Sequence, residues 1–100
     1  MITEKTLKIE IEAVRALHEL LQEWLIQTPI VRCRSLENCL GGSFEIHAKF
    51  EFLQRTGTFK PRGALSVMLG LNAQQKKAGV TTVSAGNHAI ATAFAAKALG

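Results

Sequence analysis

The stretch VTTVSAGNHAIATAFAAKALG, residues 80–100, decides the predicted fold. Its first six residues are rich in β-branched side chains and lie between glycines, which is typical of a short buried strand. From Asn87 onward the stretch is rich in alanine and ends at Gly100, which is typical of a helix. A buried strand that leads directly into a helix belongs to a βαβ unit, so an α/β protein is predicted.

Two further elements are predicted immediately before this unit. Residues 44–51, FEIHAKFE, alternate between apolar and polar side chains, which predicts a strand with one apolar face. Residues 52–58 break that period and predict a loop. Apolar residues then recur at helical steps and predict a second helix, which includes Pro61 in its first turn and ends before Gly79.

The N-terminal third is predicted to begin with an amphipathic helix. Apolar residues recur at steps of three and four from Ile11, and the helix should end near Gln27, because Thr28 precedes Pro29. Residues 29–33 then predict a short extended segment.

A short helical turn is predicted next, at residues 35–40, SLENCL. Ser35 is a plausible N-cap, and Gly41 and Gly42 should end the turn.

The order of these elements predicts an α/β fold with a parallel sheet and right-handed crossovers. Such a short sheet has unpaired edges, and the chain stops on a helix that would normally lead to another strand. We therefore interpret residues 1–100 as an N-terminal segment, without an internal domain boundary, that is completed by more chain or by a partner.

Composition narrows the class of protein. A net charge of +4 arises from scattered cations without a run of like charge, which argues against nucleic acid as a partner. No apolar run approaches the length of a membrane span, and the first residues mix acids and bases, so neither a membrane nor export is predicted. Cys33 and Cys39 lack a CxxC spacing, so we expect reduced thiols and a cytoplasmic location. The histidines lack metal-ligand spacing, so we expect no metal.

Residues 55–64, RTGTFKPRGA, place Lys60 in a loop that opens a helix. A lysine there could be a solvated cation, a phosphate ligand or a covalent catalyst. The positive end of the helix dipole and partial desolvation both favour a neutral, nucleophilic amine, which is what a covalent lysine requires.

Residues 84–88, SAGNH, form the corresponding turn of the next unit. Free backbone N–H groups at the start of a helix bind anions, although Ser84 or Asn87 could merely cap the helix and His88 could be structural. The carboxyl ends of parallel strands lie at one edge of a sheet, so this loop and Lys60 should meet across a cleft. Neither loop matches a Walker A or GxGxxG motif, which disfavours nucleotide cofactors.

Together, KFEFLQRTGTFKPRGA (residues 49–64) and VSAGNHAIA (residues 83–91) resemble the fold type II pyridoxal-phosphate enzymes, particularly the serine/threonine dehydratase group. The family pattern is K-x-E-x-x-Q-x-x-G-[ST]-F-K-x-R-G-A followed by S-x-G-N-H-A. Thr28 and Pro29 match its early Thr-Pro segment. The resemblance implies a truncated part of a parallel three-layer α/β/α sheet fold like that of the tryptophan synthase β subunit.

The resemblance also implies the roles of the residues. Lys60 would form the internal aldimine with pyridoxal 5'-phosphate and then move the Cα proton of a small hydroxy-amino-acid substrate, threonine or serine, which leaves as a 2-oxo acid and ammonia. Phe59 would pack on the cofactor ring, and Asn87 would bind its 3-oxygen. The substrate carboxylate would be bound by Ser84, Ala85, Gly86, Asn87 and His88.

Other members of the fold remain alternatives. His88 stands where cysteine-synthase-like members have threonine, and Ala85 stands where serine racemases carry the serine that acts as second base, so the dehydratase branch is favoured. Threonine synthase, other lyases of the fold and a non-catalytic fragment or pairing subunit stay open, and we expect residues 1–100 in isolation to be inactive. We expect a homo-oligomer in the full-length form, and the family's glycine-rich phosphate loop does not occur in these 100 residues.

Overall fold

The computed structural model describes residues 10–100. The prediction that no export signal precedes the first helix concerns mainly residues 1–9, which lie outside the described part. The elements in chain order are α1 (Ile11–Leu21), β1 (Ile30–Arg32), α2 (Arg34–Cys39), β2 (His47–Lys49), two 3-10 turns (Glu51–Leu53 and Arg55–Gly57), α3 (Lys60–Leu69), α4 (Ala73–Ala78) and α5 (Asn87–Leu99).

The core lies where α3 and α5 pack against each other. Ala91 and Ala95 are fully buried on one face of α5, and their small side chains let this helix approach Leu65 of α3 closely. Helix α1 also contacts α3 and contributes Leu21 to the same cluster. The core therefore fixes the first turns of α3 and α5 relative to each other, and Lys60 and Asn87 are the first residues of those helices.

Helix α1 ends at Leu21, so the predicted end near Gln27 is wrong. A turn follows, in which the N–H groups of Trp24 and Leu25 donate to the Leu21 carbonyl. The backbone of Ile26 is instead bound by the side chain of Gln54, which accepts from its N–H and donates to its carbonyl, each at 2.8 Å. These bonds replace the ones that a continuing helix would need.

The single helix predicted up to Gly79 is two helices, α3 and α4. Asn72 begins the second one with a capping box, because its Oδ1 accepts from the Gln75 N–H and the Gln75 Oε1 accepts from the Asn72 N–H, both at 2.9 Å. Helix α4 ends at Gly79, whose φ of +82° suits glycine, and that end was predicted. The local cap therefore begins a new helix where the apolar pattern of the first one ends, at Leu71.

Helix α2 begins at Arg34, with Cys33 as its N-cap and no side-chain cap, so the prediction of Ser35 as N-cap is wrong. The N-cap lies two residues earlier than expected, and the Glu37 N–H donates to the Cys33 carbonyl at 3.1 Å. The predicted glycine stop is confirmed: Gly41 has a φ of +93°, and the Gly42 N–H donates to the Glu37 carbonyl at 2.7 Å.

The paired strands β1 and β2 are antiparallel, with Val31 opposite Ala48. The parallel pairing predicted from sequence is therefore not formed among residues 10–100. The strand predicted over residues 44–51 is also reduced to His47–Lys49. Glu37 braces this pairing, because its carboxylate pairs with Arg32 and also accepts from the Ile46 N–H at 2.9 Å.

Residues 80–85 form no paired strand and are exposed, with Val83 fully so; the prediction of a buried strand is wrong in this structure. A β-branched segment becomes a strand only beside a neighbour that satisfies its backbone, and the described residues supply none. The helix that follows, α5, begins and ends as predicted. Among residues 10–100, no helix is both long and apolar enough to cross a bilayer.

Candidate active site

The lysine loop, residues 54–60, brings the chain tightly into α3. Thr56 has a φ of +66° and Gly57 one of +78°, so two successive residues adopt the left-handed conformation. The Thr56 hydroxyl is buried and has no hydrogen-bond partner within residues 10–100. The Thr58 hydroxyl accepts from the Lys60 N–H at 3.3 Å, and Pro61 is buried in the first helical turn. Together these features make Lys60 the first residue of α3.

The Lys60 amine lies beside an aromatic ring. Its Nζ is 5.1 Å from the centroid of the Phe59 ring, and 59% of Phe59 is exposed. An ammonium over a ring face is weakly stabilised, and the other face remains accessible to a flat ligand. The loop therefore presents an amine and an aromatic surface side by side.

Lys60 and Phe59 line an open cleft of about 510 Å³ between α3, residues 80–82 and α5. His88, in the first turn of α5, lines the same cleft. The other lining residues are Gly63, Ala64, Val67, Met68, Leu71, Val80, Thr81, Thr82 and Thr92. Most of the lining of this cleft is apolar, and its polar groups include the amine, the imidazole and threonine hydroxyls.

The second loop carries the remaining predicted site residues. Gly86 is the N-cap of α5 and makes no side-chain capping bond, so neither Ser84 nor Asn87 caps the helix. The Ser84 hydroxyl accepts from the Gly86 N–H at 3.2 Å instead. The first N–H groups of α5 therefore have no partner within the helix and can donate to an anion. Ser84, Ala85, Gly86 and Asn87 do not line the Lys60 cleft, whereas His88 does.

An ion pair fastens the first turn of α3. Arg62 donates to Glu51 from Nε at 2.7 Å and from a terminal nitrogen at 2.9 Å, and the Thr28 hydroxyl donates to the same carboxylate. Hydrogen bonds from Arg62, followed by the one from Thr28, lower the pKa of Glu51 to about 2, and the Glu51 contact raises the pKa of Arg62. Glu51 therefore stays ionised well into the acid range.

Two more side chains hold residues 26–28, namely Lys49 at the end of β2 and Gln54 at the start of the lysine loop. The Lys49 Nζ donates to the Thr28 carbonyl at 2.9 Å, and the Gln54 side chain holds Ile26 and also accepts from the Arg55 N–H. Sequence reasoning matched these residues to the family pattern but gave them no role. Their position within the same motif as Lys60 was the available signal.

The described residues hold no group of three or more His, Cys, Asp and Glu side chains that could bind a metal ion. Comparison with known proteins identifies a different cofactor. Residues 21–100 match the sequence profile of the pyridoxal-phosphate dependent enzyme family. The chain belongs to this family, so the cofactor prediction is confirmed.

Particular relatives are similar along most of the chain. A phenylserine dehydratase of Ralstonia pickettii is 43% identical over 91 residues, which cover 91% of this chain and 27% of that protein. A putative threonine dehydratase of Sinorhizobium fredii is 37% identical over 92 residues, which cover 92% of this chain and 27% of that protein. The chain thus spans about a quarter of the length of these relatives.

A solved structure gives the fold. Maize serine racemase superposes with a TM-score of 0.77 at 33% identity, over 90% of this chain and 28% of that chain. The predicted α/β class, as a truncated part of the fold type II architecture, is confirmed by this similarity.

The residues around Lys60 fit pyridoxal phosphate. The amine can reach an aldehyde in the cleft, the exposed Phe59 ring can stack on a pyridine ring, and Asn87 is exposed at the start of α5. These contacts concern the ring and aldehyde of the cofactor.

Proposed function

We propose that the protein is a pyridoxal-phosphate dependent dehydratase, an ammonia-lyase that converts L-threonine or L-serine to a 2-oxo acid and ammonia. Residues 1–100 are, in this proposal, the N-terminal segment of the catalytic domain. The observation that carries the proposal is the shared cleft, which Lys60, Phe59 and His88 all line at the starts of two packed helices.

Each residue of the site has a task in this reaction. Lys60 would hold the cofactor covalently through Nζ, and the same nitrogen would take the Cα proton of the substrate. Phe59 would pack on the cofactor ring, and Asn87 would hydrogen-bond its 3-oxygen. Pyridoxal phosphate, when bound, supplies the electron sink that stabilises charge at Cα while the β-hydroxyl leaves.

The start of α5 binds the substrate carboxylate. Its unpaired N–H groups lie at the positive end of the helix dipole and suit a carboxylate. The residues that we assign to this task are Ser84, Ala85, Gly86, Asn87 and His88. Most of them lie outside the lining of the Lys60 cleft, so the substrate would bridge from the cleft to this loop.

Serine racemisation is the second candidate, because a serine racemase is among the similar solved structures. By the family resemblance, Ala85 stands where serine racemases carry the serine that acts as second base, and a methyl side chain cannot move a proton. We therefore rank dehydration first.

The test is a product assay of the purified protein in which residues 1–100 are joined to the rest of the catalytic domain, with pyridoxal phosphate and L-threonine or L-serine. We expect ammonia and the matching 2-oxo acid in equal amounts, lost in Lys60→Ala and retained in Lys76→Ala, which removes an exposed lysine of α4. Formation of D-serine without a 2-oxo acid would favour racemisation, and no turnover of either substrate would contradict the proposal.

We also place the protein in the cytoplasm, as a homo-oligomer. Cys33 and Cys39 are free thiols, which suits a reducing compartment. Large apolar side chains such as Phe44 and Phe52 are more than half exposed and could be covered by another subunit or by more chain. Sedimentation analysis of the purified protein would measure its oligomeric state.

A further inference from the structure

The ion pair between Glu51 and Arg62 lies close to Lys60 in the chain but on another side of the helix. Arg62 follows Lys60 by two residues in the first turn of α3, which corresponds to a rotation of about 200° around the helix axis. Lys60 lines the open cleft, whereas Arg62 contacts Glu51, just after β2. The pair therefore anchors the side of the first turn that lies away from the amine.

The ion pair between Glu51 and Arg62 is mostly buried, and contacts from Thr28 and Lys49 hold it in place. The side chains of Glu51 and Arg62 are 17% and 29% exposed. The Thr28 hydroxyl donates to the same Glu51 carboxylate, and the Lys49 Nζ holds the Thr28 carbonyl. A two-point contact between guanidinium and carboxylate fixes an orientation as well as a distance. The first turn of α3 therefore has little freedom to rotate.

We propose that Glu51 and Arg62 are positioning residues for Lys60, which set the direction of its amine into the cleft and so the efficiency with which it captures the cofactor aldehyde. This inference rests on the proposed function, in which Lys60 is the lysine that holds the cofactor.

A second ion pair of the same kind provides a matched control. Arg32 donates to both oxygens of Glu37, at 2.8 and 3.2 Å, and the Glu37 side chain is 8% exposed. This pair joins β1 to α2 and does not contact α3. A variant that breaks it loses a comparable buried contact without touching the first turn that carries Lys60.

The experiment measures where pyridoxal phosphate attaches to the purified protein. Condensation of a lysine amine with the cofactor aldehyde releases one water, and borohydride then supplies the hydride that makes the C–N link permanent. Peptide mass spectrometry after short exposure gives the ratio of label on Lys60 to label on the exposed Lys76 and Lys77 of α4. The variants are Glu51→Gln, Arg62→Lys and, as control, Glu37→Gln, with circular dichroism to check folding.

We expect the Lys60 ratio to fall by about tenfold to a hundredfold in Glu51→Gln, as for a misplaced reacting group, and to stay unchanged in Glu37→Gln. Arg62→Lys should also lower it, because an ammonium keeps the charge but not the two-point contact. If Glu51→Gln does not fold, Arg62→Lys decides. The inference would be overturned by an unchanged ratio in Glu51→Gln, or in Arg62→Lys where Glu51→Gln does not fold. An equal fall in Glu37→Gln would overturn it as well.

One outcome separates this inference from the proposed function. If the unmodified protein shows no preference for Lys60 over Lys76 and Lys77, the proposed role of Lys60 fails and the positioning role fails with it. If the preference is present but insensitive to Glu51 and Arg62, only the positioning role fails.

Discussion

The residues of the lysine motif divide into two groups according to what they contact. Phe59 and Lys60 face the open cleft, where a ligand can reach them. Glu51, Gln54 and Arg62 face the protein and fasten the chain around the loop. Spacing in the sequence places these residues in one motif. Only the contacts show which of them a ligand can reach and which of them hold the loop in place.

The ionisation of Glu51 predicts a pH dependence of stability. Its pKa is about 2 in the folded protein against an ordinary value of 4.5. The stabilisation is therefore complete above pH 4.5 and is lost as the pH falls toward 2. The full difference in pKa corresponds to about 3 kcal/mol of unfolding free energy. Water around the partly exposed Arg62 screens the ion pair and reduces this contribution to roughly 2 kcal/mol.

Urea unfolding at a series of pH values between 6 and 2 would measure the contribution of ionised Glu51 to the free energy of unfolding. Other carboxylates titrate in the same range, so the quantity of interest is the difference between the unmodified protein and Glu51→Gln. That difference should shrink as the pH falls below 4.5. A difference that stays constant across the range would show that the Glu51 carboxylate is not held ionised by its contacts.

The packing of α5 on α3 is the feature that links the elements to the site. Ala91 and Ala95 are fully buried one turn apart, and this small-residue face lets the two helices come close. The same packing carries Lys60 and His88 to one cleft, because each lies in the first turn of its helix. A larger side chain on this face should push the helices apart.

Ala95→Leu is therefore expected to lower the free energy of unfolding by about 1–3 kcal/mol through overpacking. Ala93→Leu, on the exposed face of the same helix, should change it by less than about 0.5 kcal/mol. Thermal unfolding followed by circular dichroism measures both. Equal effects of the two substitutions would contradict the proposed closeness of α3 and α5.

At the scale of the whole molecule, the structure is open. Its radius of gyration is 17.2 Å, compared with about 13 Å for a compact domain of 100 residues. Val83 is fully exposed, and Val67 and Phe52 are also mainly exposed. Exposed apolar surface of this kind is normally covered by other protein surface. This observation agrees with a chain that spans about a quarter of the length of its relatives.

The parts of the fold that sequence predicted are those that local interactions determine. The alanine-rich α5 and the glycine stops at Gly41 and Gly79 depend on nearby residues alone. The break before α4 was also local, and the Asn72 and Gln75 capping pattern could have revealed it. The prediction that the Ser84 loop and Lys60 meet across a cleft came from parallel-sheet topology, and of that loop only His88 lines the cleft with Lys60.

The parts that sequence did not predict depend on distant partners. The early end of α1 follows from Gln54, which is 28 residues away from Ile26. Contacts of Glu37 with Arg32 and Ile46 hold the antiparallel pair of β1 and β2, and residues 80–85 lack a neighbouring strand in the described part of the chain. Neither the apolar period nor β propensity contains this information.

The proposed function depends on the claim that Lys60 is the lysine that holds the cofactor. Peptide mapping after borohydride reduction with pyridoxal phosphate tests this claim. We predict that the peptide containing Lys60 carries most of the pyridoxyl label, and that Lys60→Ala removes this label without raising it on Lys76, Lys77 or Lys97. A label spread evenly over the exposed lysines, or concentrated on any lysine other than Lys60, would contradict the claim.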